Sequence, residues 1–259
     1  MHADPTPADR PIAMSVREAR MYVGRILLTC GLPSGAIHGA TECILTSQSA
    51  GCGGFAALLR WHAELRIEAF GRLRVADVDS DGDAGTLAID GGDVHAWIVI
   101  PALLDLAVDV ARRQGAATLQ VRGIRARDEL RVLPHLARRH GAVVALSFNG
   151  ATATVTAANG SPPRSAEQYD PLLLRALQRG YPVTESLWRD LHALSNRALA
   201  RDSVVSRRHA GPVILLDDGT VVGRQPSDDD YDPDMLKSVS SSAASAAAIS
   251  TPATPARSR

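Results

Sequence analysis

Apolar positions along the first fifty residues fall at helical intervals. Ala19, Tyr22, Val23, Ile26 and Leu27 share one face of a predicted helix, and Ser15 with Glu18 three residues later has the spacing of a capping box. Gly31-Leu32-Pro33 ends that helix. A second helix is predicted over about 35–48 and a third over about 54–69, with Gly51-Cys52-Gly53-Gly54 as the corner between them. Residues 14–71 thus read as an N-terminal helical bundle, preceded by a flexible arm over 1–13.

The period then shifts. Residues 73–78 and 86–89 read as two strands around the turn-rich stretch DSDGDAG. A helix over about 98–113 stops at Gly115 and leads into the strand ATLQVRGI, and a helix over about 127–139 stops at Gly141 and leads into AVVALSFNG. The strand ATATVTAANG closes this α/β sheet region, 72–160, as its exposed edge or last hairpin. Two further helices, about 170–179 and 184–199, precede a hairpin, VILLDDGTVVG, in a C-terminal region over 161–225. From 226 to 259 the chain is Asp, Ser, Ala, Thr and Pro, a composition that predicts a disordered tail.

Charge narrows the functions that fit. Lysine plus arginine equals aspartate plus glutamate at 28 each, so no long-range field attracts nucleic acid or an anionic membrane. Aromatic residues make up only 4% of the chain, too few for a stacking platform. No apolar run reaches the length of a membrane span. The three cysteines, Cys30, Cys43 and Cys52, form no Cys-x-x-Cys pair, and the polar start lacks a secretory core, so a reducing cytoplasm is expected.

Several stretches carry candidate chemistry. The glycine corner lacks the Gly-Lys-Ser/Thr ending of a phosphate loop, although an anion could sit on the N-terminus of the helix that starts near Phe55. Cys52 there reads either as an activated thiol or, more simply, as a small buried cysteine in a tight helix–helix corner. Asp77-Val78-Asp79-Ser80-Asp81-Gly82 imitates the start of a calcium loop, but Ala88 stands where the bidentate glutamate belongs, which favours a solvated hairpin turn. The histidines show no metal-ligand spacing and read as surface or helix-end residues, with His140 beside Gly141 suiting a helix C-terminus. The run Asp228-Asp229-Asp230 reads as a solvated linker. The loop Ser206-Arg207-Arg208-His209 is the most function-like polar cluster, able to clamp a carboxylate or phosphate by charge-assisted bonds, with a solvated basic loop as the plainer reading.

Laid out in this order, residues 15–158 resemble the malate/L-lactate dehydrogenases of the second, non-Rossmann type. The resemblance rests on Gly31-Leu32-Pro33, on the corner leading into Ala56-Ala57-Leu58-Leu59-Arg60-Trp61, and on DGDAGTLAIDGGD, ARRQGAATLQVRGI and LARRHGAVVALSFNG. It implies a central sheet related to that family's. It also implies that the family's corner histidine, the proton carrier for the hydroxy acid, corresponds to Gly53, or to Phe55 if no gap is allowed. The substrate-binding arginine corresponds to Ala57, and the family's Asn-His-Phe-Gly element falls on Arg125-Ala126-Arg127-Asp128, with Ala126 for its histidine. A second resemblance, which covers more of the chain and is the closer of the two, is to an uncharacterised bacterial family defined only as a domain of unknown function, whose C-terminal signature resembles Trp188, Leu191 and Leu194 followed by the loop through Ser206-Arg207.

The expectation is therefore an α/β scaffold: an N-terminal helical bundle, the central sheet, and C-terminal helices plus a hairpin. The function expected is that of a repurposed or non-catalytic relative binding a small carboxylate or a partner subunit, with no cofactor. Gly53, Gly54, Arg60, Ser206, Arg207, Arg208, His209 and Asp218 are its candidate ligand-binding residues. The alternative is an NAD(P)-dependent oxidoreductase, or another enzyme, acting on 2-hydroxy or 2-oxo acids through other groups such as His209, Asp218 or Cys52. The dehydrogenase resemblance implies a homodimer, and the sheet edge also needs covering.

Overall fold

The computed structural model describes residues 10–65, 72–77 and 86–199, together with the backbone of 213–215 and 221–223. Two units divide the chain at residue 199. In the second, β8 (Val213–Leu215) and β9 (Val221–Gly223) pair antiparallel as the expected hairpin. Its turn at Asp218, the cluster Ser206, Arg207, Arg208 and His209, the stretch 78–85 and the tail lie outside the described residues.

The first unit opens with β1 (Pro11–Met14), which includes the last residues of the expected arm. Helix α1 (Val16–Thr29) is capped as its sequence predicts, with the Ser15 hydroxyl accepting from Glu18 N at 3.2 Å. Helix α2 (Ser34–Ser49) follows, then α3 (Gly54–Trp61). Helix α3 is shorter than its apolar pattern suggests. A 3-10 turn over His62–Glu64 closes it, the His62 Nδ1 lying 2.9 Å from the Leu59 carbonyl and Leu65 N bonding to His62 O.

The sheet is mixed, in the order β2-β3-β4-β6-β5. Strand β2 (Arg74–Asp77) runs antiparallel to β3 (Thr86–His95), and β3 runs parallel to β4 (Ala116–Arg125) across the crossover helix α4 (Ala96–Gln114). Strand β3 has 10 residues and runs well past the expected 86–89, because it continues through Gly91-Gly92 with a register shift between Asp90 and Val94. Strands β5 (Ala142–Asn149) and β6 (Thr152–Asn159) form an antiparallel hairpin whose return strand, β6, inserts beside β4. The edge is therefore β5, and ATATVTAANG, expected there as an edge or last hairpin, is the hairpin's inner strand.

The segment predicted as one helix over 127–139 breaks into a 3-10 turn (Arg127–Val132), the short α5 (Leu133–Ala137) and a second 3-10 turn (Arg138–His140). Pro134 within the first turn of α5 cannot donate to the preceding segment, which is where the helical type changes. Helices α6 (Ala166–Tyr169) and α7 (Pro171–Arg179) lead to β7 (Tyr181–Thr184), which pairs with β1, and to α8 (Glu185–Ser195).

One core joins these layers, centred on Trp97, Phe55, Ile44, Ile100 and Leu119, all fully buried. A chain of ion pairs runs beneath α1, α2 and α7: Glu42 accepts from Arg20 at 2.9 Å and from Arg139 at 2.7 Å, and Arg139 also holds Asp170 at 2.5 Å. Burial would raise the Glu42 carboxyl, but Arg139 and then Arg20 outweigh it and hold the group below its ordinary value. Removing either partner strands a buried charge, so the chain fixes helix placement.

Candidate functional site

The described residues include two non-glycine residues with left-handed backbone, Asp93 (φ 59°) and Ala126 (φ 50°). Such conformations cost about 1–2 kcal/mol for an L-residue and gather at functional sites. Asp93 stands near the end of β3 and Ala126 follows β4. These ends are neighbours, since His95 is the register partner of Arg125. Ligands of α/β sheets bind outside the carboxyl ends of parallel strands.

Arg125 anchors this point. Its guanidinium donates to Glu64 Oε2 at 2.7 Å and to Asp93 Oδ2 at 2.5 Å, joining the segment after α3 to both strand ends. The hydrogen bond from Arg125 holds the Asp93 carboxyl below its ordinary value, so Asp93 stays anionic. Next to them lies a cavity of about 340 Å³ lined by Asp93, Gly123, Ile124, Arg127, Asp128 and Ala151. Arg127 is steadied on one side, donating to the Gly150 carbonyl and lying 4.9 Å from the centre of the Phe148 ring. A second, apolar groove is lined by Leu73, Ile98 and Pro101, with no charged group among the described residues that line it.

His95 closes the other side of the strand ends. It is 2% exposed and serves as N-cap of α4, its Nδ1 accepting from Trp97 N at 3.3 Å. That fixes the neutral tautomer with the proton on Nε2, which is buried and has no partner among the described residues. The ring lies 4.6 Å from Trp97 and 5.8 Å from Trp61. Burial, helped by the charge of Arg125, pushes its pKa down to about 4. Read from sequence as a surface or helix-end residue, His95 is instead a neutral core group at a helix start.

Glu129 is the other residue that sequence reasoning passed over. Its Oε2 accepts from the Ser47 hydroxyl at 2.8 Å and from Trp97 Nε1 at 3.0 Å. Ser47 is also where the corner after α2 is tied down, since Cys52 N donates to the Ser47 carbonyl at 2.9 Å. One carboxylate thus links the α2–α3 corner to the turn after β4, the two places where the dehydrogenase resemblance puts its histidines. The only advance signal was the position of Glu129, one residue past Arg125-Ala126-Arg127-Asp128.

The corner itself is not a phosphate cradle. Phe55 N, which an anion would need, donates to Gln48 Oε1 at 3.2 Å, and a Cβ on Gly54 would lie 2.3 Å from the Ile44 carbonyl. This packing does not fit the phosphates of a nicotinamide dinucleotide at α3. Gly53 differs: it has φ 73° and open space around the place of a Cβ. Phe55, the ungapped counterpart of the family's histidine, is a buried core ring edge-on to Tyr181 at 5.3 Å. Arg60 is exposed on the last turn of α3. Cys52, expected to be buried, is exposed because the corner turns its first residues outward. Among the described residues no His, Cys, Asp or Glu group converges to hold a metal, and no helix is long and apolar enough to cross a membrane.

No family model and no curated protein matches the chain. Among solved structures it is similar to a dehydrogenase from Sinorhizobium meliloti, with a TM-score of 0.54 and 10% identity over 72% of this chain and 100% of that one. It is more loosely similar to a delta1-piperideine-2-carboxylate reductase from Pseudomonas syringae, with a TM-score of 0.39 and 23% identity over 52% of this chain and 41% of that one. It is also loosely similar to a malate dehydrogenase from Entamoeba histolytica, with a TM-score of 0.38 and 10% identity over 71% of this chain and 61% of that one. The chain spans less than two thirds of these last two proteins. What the first likeness establishes is the fold: a mixed α/β sheet flanked by helices, shared with a dehydrogenase.

Proposed function

We propose that this protein is a repurposed, non-catalytic relative of the malate/lactate-type dehydrogenases that binds a small carboxylate at the ends of β3 and β4. The observation that carries this reading is that, among the described residues, no proton carrier suited to neutral pH stands where hydroxy-acid chemistry needs one. Interconverting a hydroxy acid and an oxo acid requires a group that takes and returns a proton near the working pH. Gly53 and Ala126 have no side chain for the task. His95 has spent Nδ1 on the helix cap, points into the core, and titrates near 4. What remains is binding capacity: Arg127 faces the cavity, and a guanidinium suits a carboxylate by paired hydrogen bonds.

The reading is tested by thermal shift of the full chain against 2-hydroxy acids, 2-oxo acids and NADH. Ligand binding to the native state raises its melting temperature. A shift with the acids that Arg127→Ala abolishes supports the proposal, and no shift with any acid overturns it.

Glu129 favours a second reading, an NAD(P)-dependent oxidoreductase on 2-hydroxy or 2-oxo acids. It is a half-buried carboxylate between the two places left vacant by histidine. Saturable NADH oxidation that Glu129→Gln removes, with the fold intact, would establish it.

A homodimer is part of the same proposal. Strand β5 is eight residues long, carries no charge or proline, exposes 63% of Val143, and has β6 on one side and no described strand on the other. The opposite edge, β2, is protected by being four residues long and bearing Arg74. A second copy pairing antiparallel on β5 meets the same uncharged surface.

A further inference from the structure

The cavity at the strand ends is lined by charges of both signs. Arg127 faces Asp93 and Asp128, with Ile124 and Ala151 as its apolar walls. We infer that it takes a zwitterionic α-amino acid with a short aliphatic side chain, an inference that rests on the carboxylate-binding reading above.

The charges argue for this ligand class. Among the described residues only one arm of Arg127 is committed, to the Gly150 carbonyl, so Nη2 and Nε remain for a carboxylate. Asp93 spends Oδ2 on Arg125 and keeps Oδ1. Arg125 is itself shared with Glu64, and the charge of Arg72 also reaches Asp93, so what Asp93 offers a ligand is Oδ1 as a charged acceptor for an ammonium N–H. Asp128 pairs with Arg131 only at 3.8 Å, with most of its side chain exposed. A ligand bearing carboxylate alone satisfies Arg127 but sits against two aspartates, and like charges placed together across an interface are costly. An α-ammonium on the carbon next to the carboxylate turns that repulsion into attraction.

Size and rigidity agree. At about 340 Å³ the cavity stands at the small end of ligand sites, which run to roughly 300–1,000 Å³. The left-handed backbones of Asp93 and Ala126 set the direction of the aspartate and of Arg127.

Isothermal titration of the full chain with L-valine, with its 2-oxo acid and with isobutylamine separates the contributions. Valine is expected to bind at least about tenfold more tightly than either of the others. Asp93→Asn keeps the backbone, since asparagine tolerates the left-handed region, and is expected to reduce valine binding to the level of the oxo acid without weakening the oxo acid. If that variant fails to fold, Asp128→Asn makes the same test. Arg127→Ala is expected to abolish binding of both acids. An oxo acid that binds as tightly as valine overturns the amino-acid assignment while leaving the carboxylate reading standing. Absence of binding by either acid overturns both.

Discussion

Ser47 and Glu129, 82 positions apart in the chain, share a 2.8 Å hydrogen bond. Through it the end of α2 and the turn after β4 act as one unit, and Trp97 joins them by donating to the same oxygen. Both donors are buried, so the carboxylate is their substitute for water.

Removing that carboxylate therefore exposes two debts at once. Glu129→Ala leaves a hydroxyl and an indole N–H unsatisfied and is expected to cost about 2–4 kcal/mol, while Glu129→Gln, which retains an acceptor, costs about 1 kcal/mol. Urea unfolding measures both. An alanine variant as stable as wild type would show that the bonds carry no weight.

The two glycines of the corner respond differently. Gly54→Ala drives a Cβ into the Ile44 carbonyl and is expected to cost about 3 kcal/mol or more. Gly53→Ala meets open space and pays only for its backbone, about 1 kcal/mol. Gly53→His consequently folds, yet it restores no dehydrogenase activity because Ala126 leaves the second histidine missing. Equal losses for the two alanine variants in a melting series would refute the packing account.

His95 gives stability a dependence on pH. Its pKa is about 4 in the folded chain against 6.5 in an unfolded one, so between those values the unfolded state binds the extra proton. The contribution is complete above about pH 6.5 and is lost as pH falls toward 4, at up to about 1.4 kcal/mol per pH unit. His95→Asn keeps a capping side chain without titrating. Unfolding free energies at several pH values should show a slope for wild type that the variant lacks; parallel curves would contradict the burial argument.

Pairing through β5 makes association sensitive to one side chain. Val143→Lys puts a charge on the otherwise uncharged edge strand and should convert dimer to monomer without changing the melt of the subunit. Light scattering decides it, and a wild-type monomer at tens of micromolar (about 10–100 μM) would remove the dimer.

The layered order of the fold was legible because helix stops at Gly115 and Gly141 and apolar periods are local signals. The β1–β7 pair was not, since each strand has four residues and its partner lies far away in sequence. Nor was the insertion of β6 between β4 and β5, because chain order does not dictate strand order. The site divides in the same way. Arg125 to Asp128 could be picked out by resemblance, whereas His95 and Glu129 gain their meaning from side chains that only the fold brings to them. Gly53 and Gly54 proved to be parts of one corner with opposite tolerance for a side chain.

The central claim, a dehydrogenase scaffold that binds without turning over, is tested most directly by following NADH absorbance with purified full-length protein and a saturating panel of 2-oxo acids. The account predicts no oxidation above the protein-free rate, even for acids that raise the melting temperature. Saturable NADH oxidation by the wild-type chain would contradict it.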